Sequence, residues 1–174
     1  MSQIIDINEI LDRLKLSPNM SGADFGTGPG HWAIELARRL MNGLVYAIDI
    51  QESYLSALKG RAEQNYLSNL RLLRRDLTEP KGSGLPEASL HVVVLANVLF
   101  QIEDKKALLT EAYRVLRPRG QLLVVDWRQD TAVMKHQRAA LLEEIETLAD
   151  QVGFQLTEQL ETDEYHFGLI FKKN

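Results

Sequence analysis

The sequence has no cysteine, which excludes disulfides, zinc–thiolate centres and thiol nucleophiles. It also has no basic excess: 20 lysines and arginines stand against 24 acidic residues, for a net charge of −4. The positive stripe that a phosphate backbone requires is therefore missing, and no nucleic acid partner is expected. No apolar run approaches the roughly 20 residues of a membrane span. The N-terminal stretch MSQIIDINEILDRLK lacks the basic start and apolar run of a secretory signal. Nor does any repeat, low-complexity tract or Pro/Gly-rich linker divide the chain. These absences point to one cytoplasmic domain over residues 1–174, long enough to bury a core.

What the sequence does contain is an alternation of strand-like and helix-like segments. Ile7, Ile10, Leu11 and Leu14 share a helical face over residues 4–16, which Pro18 ends. Ile34, Leu36, Ala37, Leu40 and Met41 predict a helix closed by Asn42-Gly43. LVYAID at 44–49 predicts a strand, 52–66 a helix, and LRLLRRD a strand ending at Asp76. LHVVVLAN at 90–97 is too apolar for a one-sided sheet. A helix follows at 104–116, stopped by Pro118 and Gly120, and then the strand QLLVVDW. Such alternation predicts an α/β fold, a parallel sheet covered on both faces by helices. The tail differs. After a helix over 138–152, FQLTEQLE and YHFGLIFKK are separated only by TDE, too short for a parallel crossover. The last two strands are expected to form an antiparallel hairpin at the sheet edge.

The segment DFGTGPG at 24–30 sits where a first strand, the weak GADF, hands over to a helix. Glycine there permits a tight turn and lets a ligand lie against bare backbone at a helix N-terminus. The next strand ends in Asp49, about 20 residues on, where a carboxylate can accept both hydroxyl protons of a ribose. The dinucleotide pattern G-x-G-x-x-G fails here, because the residue three after Gly28 is His31. Asp24, two residues before the first glycine, instead suits a ligand with a cationic amino-acid end.

With these residues the chain resembles the class I S-adenosylmethionine-dependent methyltransferases, and among them the small-molecule enzymes of ubiquinone and menaquinone biosynthesis. The resemblance runs from about residue 20 to 172. It implies a Rossmann-like three-layer α/β/α sandwich with a seven-stranded, mostly parallel sheet and a C-terminal antiparallel hairpin. It also implies S-adenosyl-L-methionine as cofactor, held by Asp24, Gly26, Thr27, Gly28 and Gly30 of the acidic-x-G-x-G-x-G element, with Asp49 on the ribose. Ile50 stands where the family packs a residue on adenine, and Asp76 with Leu77 where an acid receives the adenine amino group. Asn97 falls at the methionine end. His91 and the RPRG at 117–120 depart from the family pattern, at positions not expected to touch cofactor. NVLF at 97–100 lacks the paired prolines of enzymes that methylate planar nitrogens of bases or glutamine.

A methyl group on a sulfonium is electrophilic, so the fold must chiefly position the acceptor and exclude water. A base is needed only where the acceptor's reacting atom carries a proton. His31 and Asp126 are candidates by position, and each also has a structural reading as a helix-start or loop residue. His136 and His166 read as structural or exposed, while Trp32, Phe100 and Trp127 are candidate walls of an acceptor pocket. No catalytic residue and no metal ligand is assigned. The leading expectation is methyl transfer to oxygen, carbon or nitrogen of a small molecule. A methyltransferase-fold binding subunit serving a partner protein is the alternative, since only residues 1–19 and 127–138 are available to cover the active-site edge. A nicotinamide-dependent oxidoreductase lacks its Tyr-x-x-x-Lys relay here.

Overall fold

The structure is a computed structural model that describes residues 6–127, 138–163 and 165–174. Of the segments 1–19 and 127–138 offered above as cover for the site, residues 1–5 and 128–137, His136 included, lie outside the described residues. Asp6 starts the first helix by accepting the amides of Asn8 and Glu9, at 2.9 and 3.3 Å. That helix, α1 (Ile7–Asp12), is shorter than its apolar face; Leu14 is buried beyond its end. The strands are β1 (Gly22–Phe25), β2 (Val45–Asp49), β3 (Leu70–Arg74), β4 (Leu90–Ala96), β5 (Leu116–Trp127), β6 (Phe154–Leu160) and β7 (His166–Lys173). Between them run α2 (His31–Arg39), α3 (Glu52–Gln64), α4 (Lys105–Val115) and α5 (Arg138–Val152). A 3-10 turn, Leu99–Gln101, follows β4.

The strands form one sheet in the order β3-β2-β1-β4-β5-β7-β6, parallel through β5. β7 pairs antiparallel with β5, and β6 closes the edge antiparallel to β7, as the three-residue connection requires. β1 has little strand propensity. It is extended because Ala23 and Phe25 are fully buried and its backbone pairs with β2 and β4 on either side. β5 starts earlier than expected. Its Leu116 pairs with Leu90, and residues 117–120 are accommodated by a bulge before Gln121 pairs with Val92, so Pro118 and Gly120 bend the strand instead of preceding it.

Two apolar layers flank the sheet. On one face Ile10, Leu11 and Leu14 of the N-terminal segment and Leu36 and Leu40 from α2 and its end pack with Val92, Val94, Leu123 and Val125. On the other, Leu108, Leu109 and Ala112 of α4 and Ile145 and Ala149 of α5 pack with Val93, Leu95, Leu122 and Val124. Alternation along β4 and β5 thus divides their residues between two buried faces. The chain leaves β1 toward β2 and β3, and returns to the opposite side for β4. The carboxyl ends of β1 and β4 therefore flank a topological switch point, where open α/β sheets bind ligands.

Candidate active site

The loop from β1 to α2 is built around its own buried acid. Asp24 is 1% exposed, and its Oδ2 accepts the Thr27 hydroxyl at 2.6 Å. Burial pushes its carboxyl up to about 7, against the lowering effect of bonds from Thr27 and the Ala33 amide and with a further rise from the Asp49 charge. The amides of Gly26 and Thr27 donate to the Ile48 carbonyl, at 2.8 and 3.0 Å, which ties the loop to β2. Three glycines turn it, all with positive φ. A β-carbon on Gly26 would meet Val98 Cγ2 at 2.6 Å, and one on Gly30 would run into the Leu58 side chain. At Gly28 the nearest atom is the Gly26 carbonyl oxygen, at 4.0 Å. Two glycines are thus needed for packing, and only Gly28 leaves bare backbone with open space beside it.

Asp49 joins this loop to the next crossover. Its Oδ2 accepts the Gly28 amide at 2.8 Å and its Oδ1 the Gln51 amide at 2.9 Å. Each carboxylate oxygen retains a second lone pair. At the end of β3, Asp76 Oδ1 accepts the hydroxyl of Thr78 at 2.6 Å and its amide at 2.9 Å; these two bonds hold the carboxyl below its usual range. After β4, Asn97 stands at φ 54, a left-handed conformation. Its side-chain Oδ1 is buried and has no hydrogen-bond partner among the described residues. Buried polar atoms without partners are rare, and they mark places where a ligand atom completes the bonding.

These elements enclose a cavity of about 420 Å³. Gly26, Gly28, Asp49, Ile50, Asp76, Leu77 and Asn97 line it. Asp24, Thr27 and Gly30 do not; they lie beneath the loop and shape it. The lining also includes Tyr54, Arg75, Gln101 and Ile102, which belong to no sequence motif. Tyr54 lies four residues beyond Ile50 in the first turn of α3, and Gln101 follows Asn97 through the 3-10 turn, so spacing from the motif residues was the available signal. A larger groove, about 690 Å³, runs between α1 and the β6–β7 turn and touches none of the glycine loop.

The other candidates separate clearly. Asp126 is fully buried; its Oδ2 accepts the amides of Leu99 and Phe100, at 2.8 and 3.3 Å, and its Oδ1 that of Trp127 at 2.8 Å. It therefore fastens the 3-10 turn to β5 and has its structural reading. Burial pushes its carboxyl up to about 6 despite these bonds. His31 is exposed at the start of α2 and does not line the cavity. Trp32 is buried in the apolar layer with Ile10 and Leu11 of α1 and Leu36 of α2. Phe100 and Trp127 are 42% and 40% exposed. His91 lies at the start of β4, accepting the Ser21 amide at 3.0 Å, at the far end of the strand from the cavity.

Comparison with known proteins agrees with this geometry. Residues 16–168 match the family described as "Methyltransferase domain". A demethylmenaquinone methyltransferase of Oceanobacillus iheyensis is 26% identical over 128 residues, which covers 72% of this chain and 52% of that protein. The chain thus spans about half the length of the curated relatives it matches. Among solved structures, a SAM-dependent methyltransferase from Aquifex aeolicus superposes with a TM-score of 0.85 at 22% identity, covering 98% of this chain and 90% of that one. The geranyl diphosphate C-methyltransferase of Streptomyces coelicolor, solved with Mg2+, geranyl diphosphate and S-adenosyl-L-homocysteine, gives 0.81 at 11% identity, covering 97% and 76%. At such identities the two superpositions speak for the fold.

Proposed function

The chain belongs to the methyltransferase-domain family and has the class I fold of S-adenosylmethionine-dependent enzymes, and from that premise we propose that it transfers the methyl group of S-adenosyl-L-methionine to a small-molecule acceptor. The observation that carries this reading is the buried Oδ1 of Asn97, without a hydrogen-bond partner among the described residues, on the same cavity as the open backbone of Gly28. One end of the cavity asks for a hydrogen-bond donor such as an ammonium group, and its floor admits a ligand against main chain.

The residues present fit the cofactor. Asp49 has lone pairs left for the two ribose hydroxyls. Ile50, 55% exposed, and buried Leu77 offer apolar contacts on the two sides where adenine would lie. Asp76 keeps an ionised carboxylate for the exocyclic amine. Asp24 and Thr27 act one layer down, by holding the glycine loop in shape. When bound, S-adenosyl-L-methionine supplies an electrophilic methyl group. The protein's own part is to fix the acceptor in line behind that carbon, at the end of β4 and β5, and to keep water out.

Calorimetry with S-adenosylmethionine, S-adenosylhomocysteine and NAD tests the cofactor. Micromolar binding of the first two and none of NAD is expected; tighter binding of NAD overturns the reading. Incubation of labelled S-adenosylmethionine with a small-molecule extract then reveals transfer. Binding without transfer would favour a methyltransferase-fold binding subunit that serves a partner protein.

A further inference from the structure

The turn that follows β4 builds one end of the cofactor cavity: Asn97, Val98, Gln101 and Ile102 all line it. Such a turn does not hold its shape by itself. Asn97 stands in the left-handed region. The 3-10 turn after it is closed by long bonds, from the Gln101 amide to the Val98 carbonyl at 3.3 Å and from the Ile102 amide to the Leu99 carbonyl at 3.2 Å. Its template is the end of β5. The Asn97 amide donates to the Val125 carbonyl at 2.8 Å. The next residue of β5, Asp126, takes the amides of Leu99 and Phe100 on Oδ2, at 2.8 and 3.3 Å, and that of Trp127 on Oδ1, at 2.8 Å.

These contacts set the charge state that the turn requires. Among the described residues, every bond to the two Asp126 oxygens comes from a backbone N–H. A carboxylate accepts them all, whereas the proton of a neutral carboxyl finds no acceptor among these partners and must displace one of them. Burial pushes the group up to about 6, and the amides of Trp127, Leu99, Phe100 and Val98 pull the other way. The surroundings supply no counter-ion among the described residues. Phe167 stands opposite Asp126 in β7, on the face where α4 and α5 contribute Leu108, Leu109 and Leu141. The charges of those helices are engaged elsewhere, Glu111 with Ser83 and Arg114, and Lys105 with Glu144. His166 and Asp163 belong to the other face of the sheet, where the His166 ring lies 4.1 Å from Trp127. Across the cavity stand Asp49, Arg75 and Asp76.

We infer that Asp126 is a positioning residue for the amino-acid end of the cofactor: as a carboxylate it holds the turn from Asn97 to Ile102 in the shape that receives that end, and it leaves the adenosine end, at Asp49, Ile50, Asp76 and Leu77, unaffected. The inference rests on the methyl-transfer reading above. Asp126 touches no ligand itself; it acts through Asn97 and Gln101, which line the cavity. Occupation of that end then favours the ionised carboxyl. Affinity for a ligand with an amino-acid end is full above about pH 6 and declines as pH falls through it. The ligand-free fold has the opposite preference, because burial favours the protonated acid.

Two ligands separate the ends. S-Adenosylhomocysteine carries the amino-acid part and 5′-methylthioadenosine does not, while both present adenine and ribose. At about pH 7.5, Asp126→Asn should bind S-adenosylhomocysteine about tenfold or more weakly than wild type, equal to 1.4 kcal/mol, because its NH2 group turns a donor toward backbone amides. Its affinity for 5′-methylthioadenosine, followed by NMR titration, should stay within about twofold. In wild type the ratio of the two affinities should drop about fivefold or more between about pH 7.5 and about pH 5, and in Asp126→Asn it should not move. Comparison with the variant removes the titration of Asp24, which both proteins share. Equal losses on both ligands mean a residue that only holds the fold, and an unchanged affinity for S-adenosylhomocysteine means a turn that stands without it; either result overturns the inference. So does failure of wild type to hold 5′-methylthioadenosine, since the two ends would then not act separately. If Asp126→Asn does not fold, the wild-type ratio decides, and a ratio independent of pH overturns the inference. Absence of S-adenosylhomocysteine binding to wild type overturns the methyl-transfer reading itself, and the inference with it.

Discussion

Asp49 and Gly28 are joined by a hydrogen bond of 2.8 Å across a sequence separation of 21 residues. The same carboxylate also accepts the Gln51 amide, so one side chain fastens the turns after β1 and β2 to each other at the switch point. The acid expected to receive ribose hydroxyls is also the group that sets the open glycine in place. Ligand contact and loop geometry therefore depend on one residue.

Asp49→Ala should accordingly move two measurements. Loss of the charge-assisted bonds to a ribose should weaken S-adenosylhomocysteine binding by about 2 kcal/mol, roughly 30-fold. Freeing two amides should also lower the thermal midpoint of the ligand-free protein, each bond contributing about 1 kcal/mol. Calorimetry and a thermal melt on the same preparation check both. A lower midpoint with unchanged affinity would confine Asp49 to holding the turns.

The glycines should separate in the same pair of experiments. Gly28→Ala has space for its β-carbon but not an easy φ, so about 1 kcal/mol of stability should be lost. The methyl group would project where the ligand lies against backbone, and affinity should fall about tenfold, or 1.4 kcal/mol. Gly30→Ala drives its β-carbon into Leu58 at a positive φ. Overpacking of that kind costs roughly 1–3 kcal/mol in addition to the strain, so this variant should lose more stability than Gly28→Ala. Unchanged affinity in Gly28→Ala would mean that the cavity does not receive a ligand at Gly28.

Buried Asp24 gives the stability a pH dependence with a definite sign. Its folded pKa, about 7, lies above its ordinary value of 3.8, so between these values the folded state holds more protons than the unfolded one. The contribution is fully present below about pH 4 and is lost as pH rises through about 7. Asp126, pushed up to about 6, adds in the same direction; His91, whose imidazole burial and Arg117 push down, opposes it. Comparison with Asp24→Asn isolates the term. The midpoint of wild type relative to Asp24→Asn should fall between pH 5 and pH 8, and parallel curves would show Asp24 to be ionised throughout.

Much of this was legible in the sequence, and the exceptions have physical reasons. LHVVVLAN and QLLVVDW declare buried strands because β-branched runs suit a sheet covered on both faces. GADF does not, since its extended form is imposed by β2 and β4. The glycine motif located the turn, yet it could not tell Gly28 from its neighbours, because Val98 and Leu58, far along the chain, make the difference. Asp126 looked as available for chemistry as any acid at a strand end; only the amides of the following turn reveal its use.

Asn97 supports the last prediction. A non-glycine residue at φ 54 is strained, and an unpartnered buried oxygen carries its own desolvation cost, roughly 1–3 kcal/mol. Neither is relieved among the described residues, so both are costs that a ligand would offset. Asn97→Gly removes the two together: glycine accepts the left-handed backbone, and the orphan oxygen is gone. The amide of residue 97 can still donate to the Val125 carbonyl, so the end of β4 keeps its place. The ligand-free variant should therefore be more stable than wild type by about 1 kcal/mol in denaturant unfolding, while its affinity for S-adenosylhomocysteine falls about tenfold or more. Increased stability with reduced affinity is the signature of a residue held in strain for a ligand. A variant that loses stability and binds as before would show Asn97 to be a turn residue, and the reading of the cavity would lose the observation that carries it.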